Sequence, residues 1–232
     1  MKGIRRNSIA AALIALGGAW LWAPPDHALS TKPMNLSDLV RGSSQIVVGT
    51  VSAVNQGIGT NHLPYTDIEV KVSDSIRGTA VSTLTFRQFG LQSALPAESG
   101  RRYAGAVAGM PQYKSGEQVV LFLSPASSIG YRTTIGFGQG KFSLRGGNLT
   151  NEVNNSGLFQ NLDLGTRHLN DKEKHLVTTS EGVVGADTFV NFVRRAVDGK
   201  WWNGSRRVTA PRRKANSSTP HTVRTDGGST HD

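Results

Sequence analysis

Alternation of hydrophobic and polar residues along the chain predicts a series of β-strands. Between residues 66 and 76, Ile68, Val70 and Val72 alternate with polar side chains, which is typical of a strand with one face in water. The run 119–123 is continuously apolar, which favours a strand covered on both faces. Further strands are predicted at residues 45–54, 83–87, 131–135, 140–144 and 158–164. Gly49 interrupts the first of them and indicates a bulge or a close backbone approach.

Two helices are predicted, one near each end of the strand series. Residues 35–40 form a short helix that Asn35 caps, and residues 187–197 form a longer one that begins at Asp187 and ends at Gly199. Residues 148–155 are polar and turn-like, and residues 89–116 form a long loop. The fold class is therefore mainly β, either a small OB-like barrel or a partly open sheet, with one or two helices packed against it.

The first thirty residues have the parts of a secretory signal peptide. Three basic residues open the segment: Lys2, Arg5 and Arg6. The apolar run 9–23 that follows is shorter than the roughly 20 residues that a membrane span needs. Small residues then offer a cut after Ala28 or after Ser30. We expect a secreted or periplasmic protein with no transmembrane segment after cleavage; the alternative is an anchor that is never cleaved.

The positive charge of the chain lies mainly outside the predicted domain. The net charge is +10, but residues 31–193 carry fourteen Lys and Arg against twelve Asp and Glu. Residues 194–232 carry nine basic and three acidic residues. We therefore predict a nearly neutral β-rich domain at residues 31–199 and a disordered basic tail at residues 200–232. This distribution makes nucleic acid an improbable partner, because it provides no basic face on the domain.

Four segments carry a resemblance to known proteins, in the order 44–51, 65–78, 113–123 and 136–142. This order resembles a group of uncharacterised exported bacterial proteins. It is also distantly similar to the netrin-like domain, the OB-type barrel of the tissue inhibitors of metalloproteinases. Those inhibitors bind the protease zinc through an N-terminal cysteine, and this chain has no cysteine. The resemblance therefore implies a barrel and an extracytoplasmic location, with no activity attached.

Motifs for catalysis or cofactor binding are not evident in the sequence. The segment Gly136–Lys141 lacks the first glycine and the final Ser or Thr of a phosphate loop. His168 and His175 are seven residues apart, whereas a zinc pair on a helix is four apart. No Gly-x-Ser-x-Gly elbow is present. We therefore assign no catalytic residue, metal ligand or cofactor.

The long loop contains the residues that we select as a candidate binding site. Aromatic and basic residues occur together there: Arg101, Arg102, Tyr103, Tyr113 and Lys114. Such mixtures bind single strands or sugars on barrel faces. The leading hypothesis is an exported, non-enzymatic protein that binds or modulates an extracytoplasmic protein or polymer. Two alternatives stay open: an exported hydrolase with its site in the 89–116 loop, and a carbohydrate or polyanion binder.

Overall fold

A computed structural model describes residues 32–96 and 105–202 of the chain. The strands are β1 (Gln45–Ile58), β2 (Pro64–Arg77), β3 (Thr83–Phe89), β4 (Gln118–Leu123), β5 (Lys141–Arg145), β6 (Asn148–Asn151) and β7 (Val184–Gly185). The helices are α1 (Leu36–Gly42), α2 (Asp171–Thr178) and α3 (Ala186–Asp198), with a 3-10 turn at Phe137–Gly140. The predicted signal peptide, its candidate cleavage residues Ala28 and Ser30, and the predicted tail from residue 203 onward lie outside the described residues.

The seven strands form one antiparallel sheet in the order β3-β2-β1-β4-β5-β6-β7. The mainly β class is thus confirmed. The long β1–β2 hairpin contains three register shifts, after Ile46, Val48 and Val51 of β1. Each shift inserts an unpaired residue that bends the hairpin and increases its twist. The β1–β2 hairpin is therefore bent and more strongly twisted than a regular ladder.

The sheet is open, so the OB-like barrel is not confirmed and the partly open sheet is the alternative that the structure matches. The predicted strand at residues 131–135 is wrong. This segment makes only single bridges, from Tyr131 to Arg87 of β3 and from Thr134 to Leu123 of β4. A turn that ends at Gly130 precedes it and Gly136, in the left-handed conformation, follows it. Between these turns the segment crosses from β3 to β4 and pairs with each of them at only one position, so it forms no ladder.

Other predicted elements differ from the structure near the C-terminal helices. Residues 158–164 form turns instead of a strand, and Leu158 is buried where its carbonyl accepts a hydrogen bond from Leu36 N at 2.7 Å. Part of the predicted turn at 148–155 is β6. Helix α2 was not predicted, although Asn170 and Glu173 form a complete capping box before it. Helix α3 is capped by Gly185 and not by Asp187.

Two hydrophobic cores lie on opposite faces of the sheet. The helix-side core lies under α1, α2 and α3, and its centre is a set of three phenylalanine rings with centroids 5.0–6.4 Å apart: Phe122, Phe142 and Phe189. The loop-side core contains Val47, Ile68, Phe86 and Leu121, and Tyr113 of the long loop packs into it. The alternation in β2 and the apolar run in β4 thus supply both cores.

The packed domain extends past its predicted end at residue 199. Trp202 is 2% exposed, and its indole N–H donates to the carbonyl of Asp163 at 2.9 Å. Its own carbonyl accepts a hydrogen bond of 2.7 Å from Arg41 of α1. Trp201 and Trp202 therefore belong to the helix-side core and not to the tail that we predicted from residue 200.

Candidate functional site

The structure describes two of the five residues of the predicted binding site, Tyr113 and Lys114, and places them in different environments. Arg101, Arg102 and Tyr103 lie outside the described residues. Lys114 is exposed in the turn before β4, whereas Tyr113 is only 3% exposed and lies in the loop-side core. The side chain of Tyr113 is therefore a core residue and is not available to a ligand at the surface.

Glutamine side chains attach the described end of this loop to the sheet. Gln92 donates to the carbonyl of Tyr113 at 3.1 Å and accepts from its backbone N–H. Gln88 donates to the carbonyl of Pro111 at 3.0 Å, and its own Oε1 is buried without a partner in the described part of the chain. These side-chain contacts replace ladder hydrogen bonds, because the loop backbone does not join β3 as a strand.

A polar cluster of Glu117, Lys141 and Ser143 lies beside the loop. The Oε1 atom of Glu117 is 2.6 Å from Lys141 Nζ and accepts a hydrogen bond of 2.6 Å from Ser143 Oγ, while Oε2 accepts from Lys114 N at 3.2 Å. Burial opposes ionisation of Glu117, but these donors and the Lys141 charge outweigh it and lower its pKa. Three donors thus hold the carboxylate and fasten the turn to β5.

A second carboxylate, Glu152, interacts electrostatically with this cluster. Desolvation and the negative charge of Glu117 raise the pKa of Glu152, although much of its side chain is exposed. Opposite shifts in two neighbouring carboxylates are characteristic of acid–base pairs in hydrolases. Here, however, Glu117 is engaged by an ammonium, a hydroxyl and an amide. The geometry therefore favours a structural role for Glu117 over that of a general base.

The buried hydroxyl of Tyr113 allows a direct test of this packing. No atom in the described part of the chain meets hydrogen-bond geometry with it, because the neighbouring Thr134 hydroxyl already donates to the carbonyl of Phe137 at 2.6 Å. Burial raises the pKa of Tyr113 well above the ordinary value, and the nearby Thr134 side chain only partly opposes the rise. An unpartnered buried hydroxyl costs about 1–3 kcal/mol. We expect Tyr113→Phe to raise the free energy of unfolding by about 1 kcal/mol, measured by urea denaturation. A loss of stability instead would show that the hydroxyl is hydrogen-bonded.

An aromatic surface lies at the far end of the β1–β2 hairpin. We call Tyr65, Arg87, Phe89 and Tyr131 the aromatic face. Tyr65 and Phe89 are directly opposite in the β2–β3 register, and the rings of Phe89 and Tyr131 have centroids 6.2 Å apart. The Arg87 guanidinium stacks 3.7 Å from the centre of the Tyr65 ring. Four large side chains from β2, β3 and the 131–134 segment thus form one surface.

Arg87 is held rigidly within the aromatic face. Its Nε and one terminal nitrogen each donate to a different oxygen of Asp67, both at 2.7 Å. These hydrogen bonds raise the pKa of Arg87, so the guanidinium stays charged while Asp67 balances its charge. The Tyr65 ring extends across Gly57 of β1, where an added Cβ would come within 2.9 Å of the Tyr65 hydroxyl. The aromatic face is therefore ordered and nearly neutral.

Within the described residues, part of the aromatic face remains exposed. The side chains of the aromatic face project from one face of the sheet, whereas Ile68 and Phe86 of the loop-side core project from the other face. Helix α3 contacts β2, and Arg194 of α3 pairs with Asp74, nine residues along the strand from Tyr65. Phe89 remains 39% exposed, and Ile129, two residues before Tyr131, is 61% exposed.

Sequence reasoning missed this surface although a signal was present. Tyr65 is two residues from Asp67, so the alternation in β2 places both on the polar side of the strand, where an aromatic residue is unexpected. The pairing of Phe89 with Tyr65 depends on the hairpin register, and the contact with Tyr131 depends on the fold of a segment forty residues away. The hydrophobic pattern contains neither piece of information.

Comparison with known proteins adds no functional assignment. No family model, no curated protein and no solved structure matches the chain. Within residues 32–96 and 105–202, no helix is long and apolar enough to cross a bilayer. The same ranges contain no group of three or more His, Asp or Glu side chains arranged to hold a metal ion.

Proposed function

We propose that this chain is an exported, non-enzymatic binding protein that contacts an extracytoplasmic protein through the aromatic face. The observation that carries the proposal is the exposed Phe89 beside a Tyr65–Arg87 stack that Asp67 fixes in place. Export itself rests on the signal-peptide pattern of residues 1–30.

The composition of the aromatic face favours a protein ligand over a polyanion or a glycan. Tyr, Phe and Arg are enriched at the centres of protein interfaces, where unpaired charges are depleted. Asp67 neutralises Arg87, so the surface offers little attraction to a polyanion. Arg87 covers one face of the Tyr65 ring, which removes that face as a stacking platform for a sugar. Exposed Phe89 and Ile129 suit an apolar protein surface better.

The relationship to the netrin-like barrel is part of the same proposal. We infer that β1–β4 are an open relative of the OB-like barrel. The support is the 131–134 segment, which contacts β3 on one side and β4 on the other through single bridges. The resemblance in segments 44–51 and 113–123 agrees with this inference.

Photo-cross-linking tests the proposed interface directly. We replace Phe89 with p-benzoylphenylalanine in cells that naturally make the protein, irradiate, and identify the adducts by mass spectrometry. A second protein carries the same cross-linker at Val153, an exposed residue of a turn after β6. We expect a defined protein adduct at position 89 that is absent at position 153. With that partner purified, Phe89→Ala weakens binding at least tenfold and Val153→Ala leaves it unchanged.

Several outcomes would overturn this function. Identical adducts at both positions, or none, would remove the aromatic face as an interface. Binding on a glycan array that Phe89→Ala abolishes would make the chain a carbohydrate binder. Hydrolysis of ester, peptide or glycan substrates that Glu117→Gln abolishes would favour the hydrolase with its site beside the long loop.

A further inference from the structure

A groove of about 460 Å³ lies between α2 and β7, on a different surface from the aromatic face. The α2 wall presents Lys172, His175 and Leu176, and the opposite wall presents Val183 and Gly185. Leu176 is buried at the base, whereas the side chain of Val183 is 62% exposed. This exposure is high for an aliphatic side chain next to a strand of the main sheet.

The free edge of the sheet forms the β7 wall of this groove. Backbone groups of alternate residues point inward: Gly182 N bonds to Asn154 O at 2.7 Å, Val184 pairs with Leu149, and Ala186 N bonds to Gly147 O at 2.9 Å. The backbone groups of Val183 and Gly185 therefore point outward. Within the described residues, the N–H and C=O of Val183 and the N–H of Gly185 have no hydrogen-bond partner.

The charges on the α2 wall further restrict the ligand. Asp171 at the start of this wall is paired with Lys174 at 2.9 Å, so its charge is balanced along the helix. Lys172 then leaves a positive charge at the groove. An acidic side chain on the ligand complements this charge.

We propose that the groove binds an extended peptide segment of another protein, which adds to the sheet beside β7. Its backbone pairs with Val183 and Gly185, as in other cases of strand addition. An aliphatic side chain of the segment packs against Val183 and Leu176, and a neighbouring Asp or Glu approaches Lys172. This site is separate from the aromatic face, so either proposal can fail while the other holds.

Selection from a peptide library tests this site. Random nine-residue peptides displayed on phage are selected on the immobilised chain without its predicted leader and, in parallel, on Val183→Asp and Val153→Asp variants. The two valines are both exposed, so neither substitution buries a charge in the core. We expect the unmodified chain and Val153→Asp to enrich peptides with alternating aliphatic residues and an acidic residue. Val183→Asp should reduce their affinity at least tenfold.

The contributions of backbone hydrogen bonds and of charge to binding are then measured separately with one enriched peptide. N-methylation at its central residue removes an N–H and should abolish binding, whereas Lys172→Glu should weaken binding and remove its salt dependence. Amide chemical shifts of the protein should change at residues 172–188. The proposal is overturned if no peptide is enriched, if Val183→Asp enriches the same peptides, or if the shifts change only elsewhere.

Discussion

Lys141→Met should lower the free energy of unfolding by about 3 kcal/mol at neutral pH, because it leaves Glu117 buried without its counter-charge. The two side chains are 6% and 14% exposed and lie 2.6 Å apart. Equilibrium denaturation with urea measures the change. Adding Glu117→Gln to this variant should restore much of the loss, because no unpaired buried charge then remains.

The exposed pair between Lys174 and Asp171 supplies the matched control. Its side chains are 61% and 97% exposed, so Lys174→Met should change stability by less than about 0.5 kcal/mol. Equal effects of the two lysine substitutions would contradict the structural role that we assign to the polar cluster.

The difference in stability between the unmodified chain and Lys141→Met should depend on pH. The pKa of Glu117 is lowered in the folded chain, so its stabilising contribution is present above the unfolded pKa, about 4.3, and is lost as pH falls through the folded value. In Lys141→Met, the main donor is gone and burial raises the pKa of Glu117. The variant should therefore recover as its carboxylate becomes protonated. The stability gap between the two proteins should be largest near neutral pH and narrow on acidification.

Gly49→Ala should destabilise the chain by about 3 kcal/mol. A Cβ at this position would overlap the backbone carbonyl oxygen of Lys71 and lie 2.7 Å from Val70 Cγ1. Neither neighbour can move freely, because both belong to the β1–β2 hairpin beside one of its register shifts. Thermal and urea denaturation should both report the loss.

Gly185→Ala is the control for a glycine with space around it. The nearest atom to an added Cβ is Thr188 Oγ1 at 4.0 Å, and Gly185 has an ordinary negative φ of −63°. We expect a change below about 1 kcal/mol, which reflects only the lower preference for alanine at a helix N-cap. A comparable loss in both variants would show that the close approach at Gly49 is not the cause.

Local patterns were sufficient where burial follows the sequence period. Ile68 and Val70 alternate with polar residues and predicted β2, because every second side chain of this strand faces the loop-side core. The apolar run 119–123 predicted β4, which supplies side chains to both cores. The capping box of α2, formed by Asn170 and Glu173, is also a local sequence pattern, although this helix was not among those predicted.

Local patterns failed where apolar residues are buried by contacts from distant parts of the chain. Leu158 and Phe159 look like the start of a strand, yet they are buried within turns that hydrogen-bond to α1. Tyr131 and its neighbours have strand propensity, but turns on both sides limit them to single bridges. Propensity determines which secondary structures a segment can form, and tertiary packing determines which of them it adopts.

The candidate sites depended on tertiary structure even more strongly. Tyr113 and Lys114 are adjacent in the loop, but one is buried in a core and the other is exposed. Glu117 and Lys141 are brought together by the β4–β5 pairing. The sequence alone determined the mainly β class, most of the strands and the position of the excess charge, because these properties depend on composition and on neighbours along the chain. The open sheet, the aromatic face and the groove beside β7 were decided only by tertiary structure, since register and curvature determine which distant side chains meet and which edges stay free.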